Sequence, residues 1–320
     1  MTKARTKLIR DVTTQLEEAG FSPSSQCDVR PSCFDLVARR EDQLILVKVL
    51  ANIDSLTSED AIALQLVAHF FNATPLIIGM RTRRGALSSG VVYKRYGVST
   101  IAPTSLHGII AERKMPREFI QRGGRFVAID GAKLREVRLS QNMTKEELAE
   151  CVEVSARAIL AYEKDEMDIS TNVADRLEKV LETDLVIPID VLSEPWAREQ
   201  LTEPGKPMRI PNLERKVNDF FDRIGMKVLW TDRAPFNVAA KEKGPPLMSG
   251  VGSLKSGGLQ KRVAILKSVS SITESDALII VEEGQAQESV SNLPVIRQHE
   301  LDGIEKPRDL KKILDERSST

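Results

Sequence analysis

One feature constrains this chain more than any other: a set of segments near the start recurs, in the same order, near the end. LIRDVTTQLEEAG (8–20) aligns with LERKVNDFFDRIG (213–225) without a gap, FDLVARRED (34–42) with FNVAAKEKG (236–244), and TPLIIG (74–79) with DALIIV (276–281). LILVKV (44–49) is set against VAILKSV (263–269), placing Lys48 opposite Lys267, and SLHGII (105–110) against ELDGIE (300–305). Five matches in one order point to a tandem duplication. Each copy must then fold as a compact unit of its own kind.

The pattern inside the first copy is α/β. Leu8, Val12 and Leu16 share a helical face that Gly20 ends, strand-like runs cover 34–38 and 44–50 with a turn at Asp42-Gln43, and 55–72 reads as a helix with Ile62, Leu66 and Phe70 spaced by four. Two further runs, 75–79 and 98–101, read as strands. Between the copies, 131–184 reads as short helices without strands. The stretch 126–131 (FVAIDG) is expected to pair as a short strand leading into the first of these helices, and GVGSLKSGGLQKR (250–262) to form a loop widening the second copy's hairpin. The expected organisation is an α/β domain at 1–112, a basic linker and hairpin at 113–130, a helical domain at 131–185, a Pro-rich connector at 186–210 and a second α/β domain at 211–320.

Charge supports this division. Lys+Arg and Asp+Glu both number 46, but residues 1–129 carry 18 basic against 12 acidic side chains, and 130–185 carry 8 against 14. Zero net charge excludes a generally basic nucleic-acid packaging protein and an acidic disordered tail. No apolar run is long enough to span a membrane, and the start of the chain lacks the apolar core of a signal peptide, so a cytoplasmic protein is expected. Cys27, Cys33 and Cys151 are odd in number with no ligand-like spacing, and His69, His107 and His299 are scattered. No cofactor is expected.

The helical block, GAKLREVRLSQNMTKEELAECVEVSARAILAYEKDEMDISTNVADRLEKVLE, carries Leu134, Leu148, Ala149, Val154, Ile159 and Tyr162 at apolar positions. Thr144 and Glu147 have capping-box spacing, and Glu153-Val154-Ser155 reads as the turn and cap of a third helix. This block resembles the lambda-repressor-like helix-turn-helix of xenobiotic-response-element regulators. The resemblance implies a third helix in the major groove of double-stranded DNA, with Ser155, Ala156, Arg157, Ala158 and Ala161 at or near bases, and Thr144 and Lys145 on phosphates. It also implies an ion pair between Arg138 and Glu163. Alanines can touch a thymine methyl, whereas Arg157 alone among these suits a bidentate guanine contact. The loop after the third helix, Lys164-Asp165-Glu166-Met167-Asp168, is acidic and disfavours phosphate. Arg113, Lys114, Arg117, Arg122 and Arg125, just upstream, are candidate phosphate contacts.

The flanking copies resemble the restriction-endonuclease-like fold, whose metal is held by an Asp on one strand and a Glu-x-Lys on the next. Asp35 and Lys48 match, but Leu46 stands at the Glu position, and the second copy offers Asn237, Ile265 and Lys267. Glu17 or Glu18 could supply the missing carboxylate of a metal-dependent nuclease. The fold expected is therefore two related, degenerate nuclease-like α/β domains flanking an all-α helix-turn-helix. GGRFVAIDGAKLREVR (123–138) and LVIPIDVL (185–192) carry the similarity of the whole arrangement to a family of archaeal helix-turn-helix transcriptional regulators. That similarity implies DNA binding, and the shortness of one reading helix implies a homodimer. An effector is not implied. The other readings are a nuclease using Asp35 and Lys48, or a helix-turn-helix that binds protein.

Overall fold

The computed structural model describes residues 3–193, 212–254, 257–282 and 287–318. No helix among them is long and apolar enough to cross a membrane. In chain order the elements are α1 (Lys3–Glu18), β1 (Ser22–Pro23), β2 (Leu36–Arg40), β3 (Gln43–Asn52), α2 (Ser58–Phe70), β4 (Thr74–Arg81), β5 (Val91–Arg95), β6 (Val98–Ile101), α3 (Pro103–Glu112), β7 (Glu118–Gln121) and β8 (Gly124–Val127). The helical block holds α4 (Gly131–Ser140), α5 (Lys145–Cys151), α6 (Ala156–Glu163), β9 (Ile169–Ser170) and α7 (Thr171–Leu181). The last third holds α8 (Asn212–Arg223), β10 (Lys227–Trp230), β11 (Val238–Lys241), β12 (Leu247–Val251), α9 (Gly257–Thr273), β13 (Ala277–Val281), β14 (Ser289–Val290), β15 (Leu293–Arg297) and α10 (Pro307–Ser318).

The chain divides into two compact units: one of residues 3–49, 56–76 and the described residues after 211, the other of residues 50–55 and 77–193. The first unit holds β1, β2 and β3 up to Val49 with the opening of β4, and the six-stranded sheet β10-β11-β12-β13-β15-β14; the second holds the ends of β3 and β4 and β6-β5-β7-β8-β9. The order β1-β2-β3-β4-β6-β5 thus repeats as β10-β11-β12-β13-β15-β14, the structural mark of duplication. In the second copy, Val217, Phe220 and Phe221 of α8 pack with Val238, Leu278 and Ile280 of the sheet.

Register corrects one of the five matches. Leu36 faces Val47 across β2 and β3, and Val238 faces Ser249 across β11 and β12. The counterpart of β3 is therefore β12. Residues 263–269 lie in the middle of α9, the counterpart of α2, and Lys48 corresponds to Gly250, not Lys267. A Cβ at Gly250 would stand 3.2 Å from Leu259 Cδ1, so the glycine lets α9 lie close on the sheet. The expected loop at 250–262 is thus the end of β12 and the start of α9, with Lys255 and Ser256 outside the described residues. Residues 194–210 of the expected connector lie outside them as well.

Smaller differences have local causes. The β2–β3 turn is Glu41-Asp42, closed by the Arg40–Gln43 pair, with Glu41 at φ 53°. On α2, Ala61, Leu64 and Ala68 are buried while Ile62 is 41% exposed, because this helix is apolar on most sides and its alanines permit the closest approach. Segment 113–130 is no linker in the loose sense. It forms the β7–β8 hairpin, in which β7 pairs parallel with β5, and β8 pairs with β9 inside the helical block.

Candidate functional site: a helix-turn-helix and a closed carboxylate centre

The helical block builds its second and third helices from explicit caps. Thr144 Oγ1 accepts the Glu147 amide (3.1 Å), while a Glu147 carboxylate oxygen accepts the Thr144 amide (2.7 Å). These bonds hold the Glu147 carboxyl below the usual carboxylate range, so the cap is complete at neutral pH and is lost only as pH falls through that lowered value. Ser155 caps α6 through the Ala158 amide (3.1 Å). Glu153 takes a left-handed conformation (φ 56°) in the turn between the two helices. Leu134, Leu148, Ala149, Ile159 and Tyr162 are buried together, and Val154 packs beside them. Arg138 of α4 and Glu163 of α6 form a buried ion pair at 2.6 Å, and Arg138 also donates to Met143 O (2.7 Å). The expected joint between the first and third helices is therefore present.

The structure divides the expected contact residues by exposure. Arg157 and Ser155 are exposed at the start of α6, Ala161 is half-buried, and Ala156 and Ala158 lean on the core. Thr144 is exposed and Lys145 half-buried at the start of α5. Two residues complete the outer face: Leu160, 37% exposed and absent from the expected contacts, and exposed Lys164, expected only as part of the acidic loop. With Arg157 and Ala161 they follow i, i+3, i+4, i+7 spacing, which places them on one helical face. That spacing was the available signal.

The acidic loop is also resolved into roles. Asp165 accepts the Gly131 amide (3.2 Å) at the start of α4, and Asp168 accepts from Gln121 Nε2 (2.7 Å). A Cβ at Gly131 would lie 2.4 Å from Tyr162 O, so only glycine allows this close approach. Among the upstream cations, Lys114 pairs with Glu112 (2.7 Å), Arg125 with Glu118 (2.5 Å), and Arg117 donates to Val186 O (3.2 Å). Arg113 caps α3 in a left-handed conformation, and Arg122 is exposed beside the Gly123-Gly124 turn.

The nuclease-like centre has other contents. Asp35 is fully buried; its Oδ1 receives Arg5 (2.5 Å) and Arg30 (3.3 Å), and its Oδ2 the Val49 amide (2.8 Å). Lys48 is buried and donates to Ser32 O. Leu46 is buried at the Glu-x-Lys glutamate position. Glu17 and Glu18 are exposed at the far end of α1, about 18 Å along the helix from Arg5, and do not supply a ligand. Among the described residues no group of three His, Cys, Asp or Glu is placed to hold a metal. A divalent cation needs several oxygen ligands, and a carboxylate already shared by two guanidinium groups does not fit one. In the second copy, Asn237 Oδ1 accepts the Val251 amide (3.0 Å) and Arg262 (3.2 Å), the same arrangement without the charge.

A two-copy α/β protein with a capped helix-turn-helix between the copies is thus defined by its geometry. The PD-(D/E)XK superfamily domain matches residues 5–116, and a helix-turn-helix family matches residues 134–187. The chain is similar to proteins named as candidate HTH-type transcriptional regulatory proteins. That of Pyrococcus furiosus is 36% identical over 97% of both chains; that of Thermococcus kodakarensis, 34% over 97% of this chain and 96% of its own. That of Haloarcula marismortui is 35% identical over 98% of this chain and 97% of its own. No solved structure shows a significant match. The chain belongs to this family of HTH-type transcriptional regulatory proteins.

Proposed function

We propose that the protein binds double-stranded DNA through α6, as a homodimer, and thereby controls transcription. The observation that carries the reading is the outer face of α6: Arg157 and Lys164 bracket the apolar pair Leu160 and Ala161. Arg157 would take a guanine through O6 and N7, and the apolar pair a thymine methyl. Lys164, Lys145 and the amides at the start of α5 would take phosphates. At eight residues α6 spans only about 12 Å, room for three or four base pairs, so a two-fold dimer on a palindromic site supplies the remaining contacts.

Selection from a random duplex library by the full chain, at two salt concentrations, tests this. The expected product is a palindrome whose half-sites contain adjacent G and T. Leu160→Ser is expected to relax the preference for T and leave G unchanged. A library that stays random at both salts contradicts DNA reading, and an asymmetric single site contradicts the dimer.

A further inference from the structure

The two α/β copies meet inside the first compact unit, and they meet through equivalent residues. The same spacing holds from Asp35 through β4 and from Asn237 through β13, so Arg39 corresponds to Lys241 and Phe70 to Ile272. Arg39 of β2 donates from Nε to Ile272 O (2.6 Å) and from its terminal nitrogen to Thr273 O (3.2 Å), at the end of α9. Lys241 of β11 donates from Nζ to Phe70 O (3.3 Å), at the end of α2. Each copy thus places a cation on the carbonyl end of the other copy's helix, where orphan carbonyls and the helix dipole favour positive charge.

Contact of one residue with a second, matched by contact between their two counterparts, is the signature of an isologous interface, the kind a two-fold dimer forms. The contact is also wider than the two cations. Ser25 donates its amide to Ser268 Oγ (2.7 Å), Cys33 its amide to Arg233 O (2.7 Å), and Arg233 pairs with Asp60 (2.6 Å).

We infer that the C-terminal copy occupies, within one chain, the partner position of a two-fold dimer of this α/β fold, with Arg39 and Lys241 as its reciprocal clasp. The partner this face fits is a second copy of the same fold, and the chain supplies its own. The face is therefore not available for pairing two chains, and a homodimer on DNA must form through another surface.

Amide hydrogen exchange on the full chain tests the reciprocity. Arg39→Ala is expected to speed exchange several-fold in the last turn of α9 and to leave α2 unchanged; Lys241→Ala is expected to do the reverse. Effects confined to the copy that carries the substitution would overturn the clasp. A second measurement uses Ser25→Cys with Ser268→Cys in a Cys151→Ser background, oxidised and mapped by mass spectrometry. The expected product is a monomer with one intrachain disulfide. A product linked only between chains would assign the contact to a swapped dimer, and no link at all would show that the copies do not dock; either overturns the inference.

Discussion

Replacing Glu163 by alanine is expected to cost about 3–5 kcal/mol of helix-turn-helix stability, because it strands the Arg138 guanidinium in the core. The pair lies at 2.6 Å with side chains only 6% and 2% exposed, so solvent cannot take over from the missing carboxylate. The loss is comparable to the whole stability of a small domain, and DNA binding should disappear with it. Urea denaturation followed by a probe in the helical block measures the effect. Arg138→Met with Glu163→Leu should recover most of the loss, since two apolar side chains leave no uncompensated charge. If the single variant costs less than about 1 kcal/mol, the pair is not the joint described here.

The second large effect belongs to Asp35. Its three bonds tie α1, the 27–34 loop and β3 together. Asp35→Ala would leave the terminal nitrogen of the mostly buried Arg5 and the Val49 amide without their acceptor, while Arg5 Nε keeps its bond to Val49 O (2.9 Å). A loss of about 3–5 kcal/mol is expected, with DNA affinity per folded molecule unchanged. Asp35→Asn should be milder, because Asn237 shows that a carboxamide still accepts the equivalent amide. Millimolar Mg²⁺ or Mn²⁺ is expected to leave the wild-type denaturation midpoint where it is. A midpoint raised by the cation in the wild type but not in Asp35→Ala would mean that Asp35 holds a metal.

Much of this architecture was legible because it rests on local chemistry. The caps at Thr144 and Ser155, the small Ala149 and the apolar spacing around Leu134 and Ile159 are fixed by bonds and contacts a few residues apart, and they mark the helix-turn-helix directly. The duplication was legible at α1, β2 and β4, where apolar runs kept their order. It failed at β3, because VAILKSV has the composition of a buried strand and the true counterpart is broken by Pro246 and Gly250. A short apolar run cannot by itself separate a buried helix from a buried strand. The β7–β8 hairpin was half legible: the Gly-Gly turn was visible, but its pairing with β5 and β9 joins distant residues. The closure of the Asp35 centre was not legible, because Arg5 and Arg30 reach it from positions with no motif. The exposure of Leu160 was not legible, because a leucine inside a short apolar helix reads as core.

Base reading by α6 is tested by comparing the wild-type chain with Arg157→Ala on the selected duplex and on a random duplex of equal length, at two salt concentrations. A loss of about 1–3 kcal/mol is expected on the selected duplex, concentrated at the guanine, with little change on the random one. Equal affinity of the two proteins for the selected duplex would contradict reading by α6 and move recognition to another part of the chain.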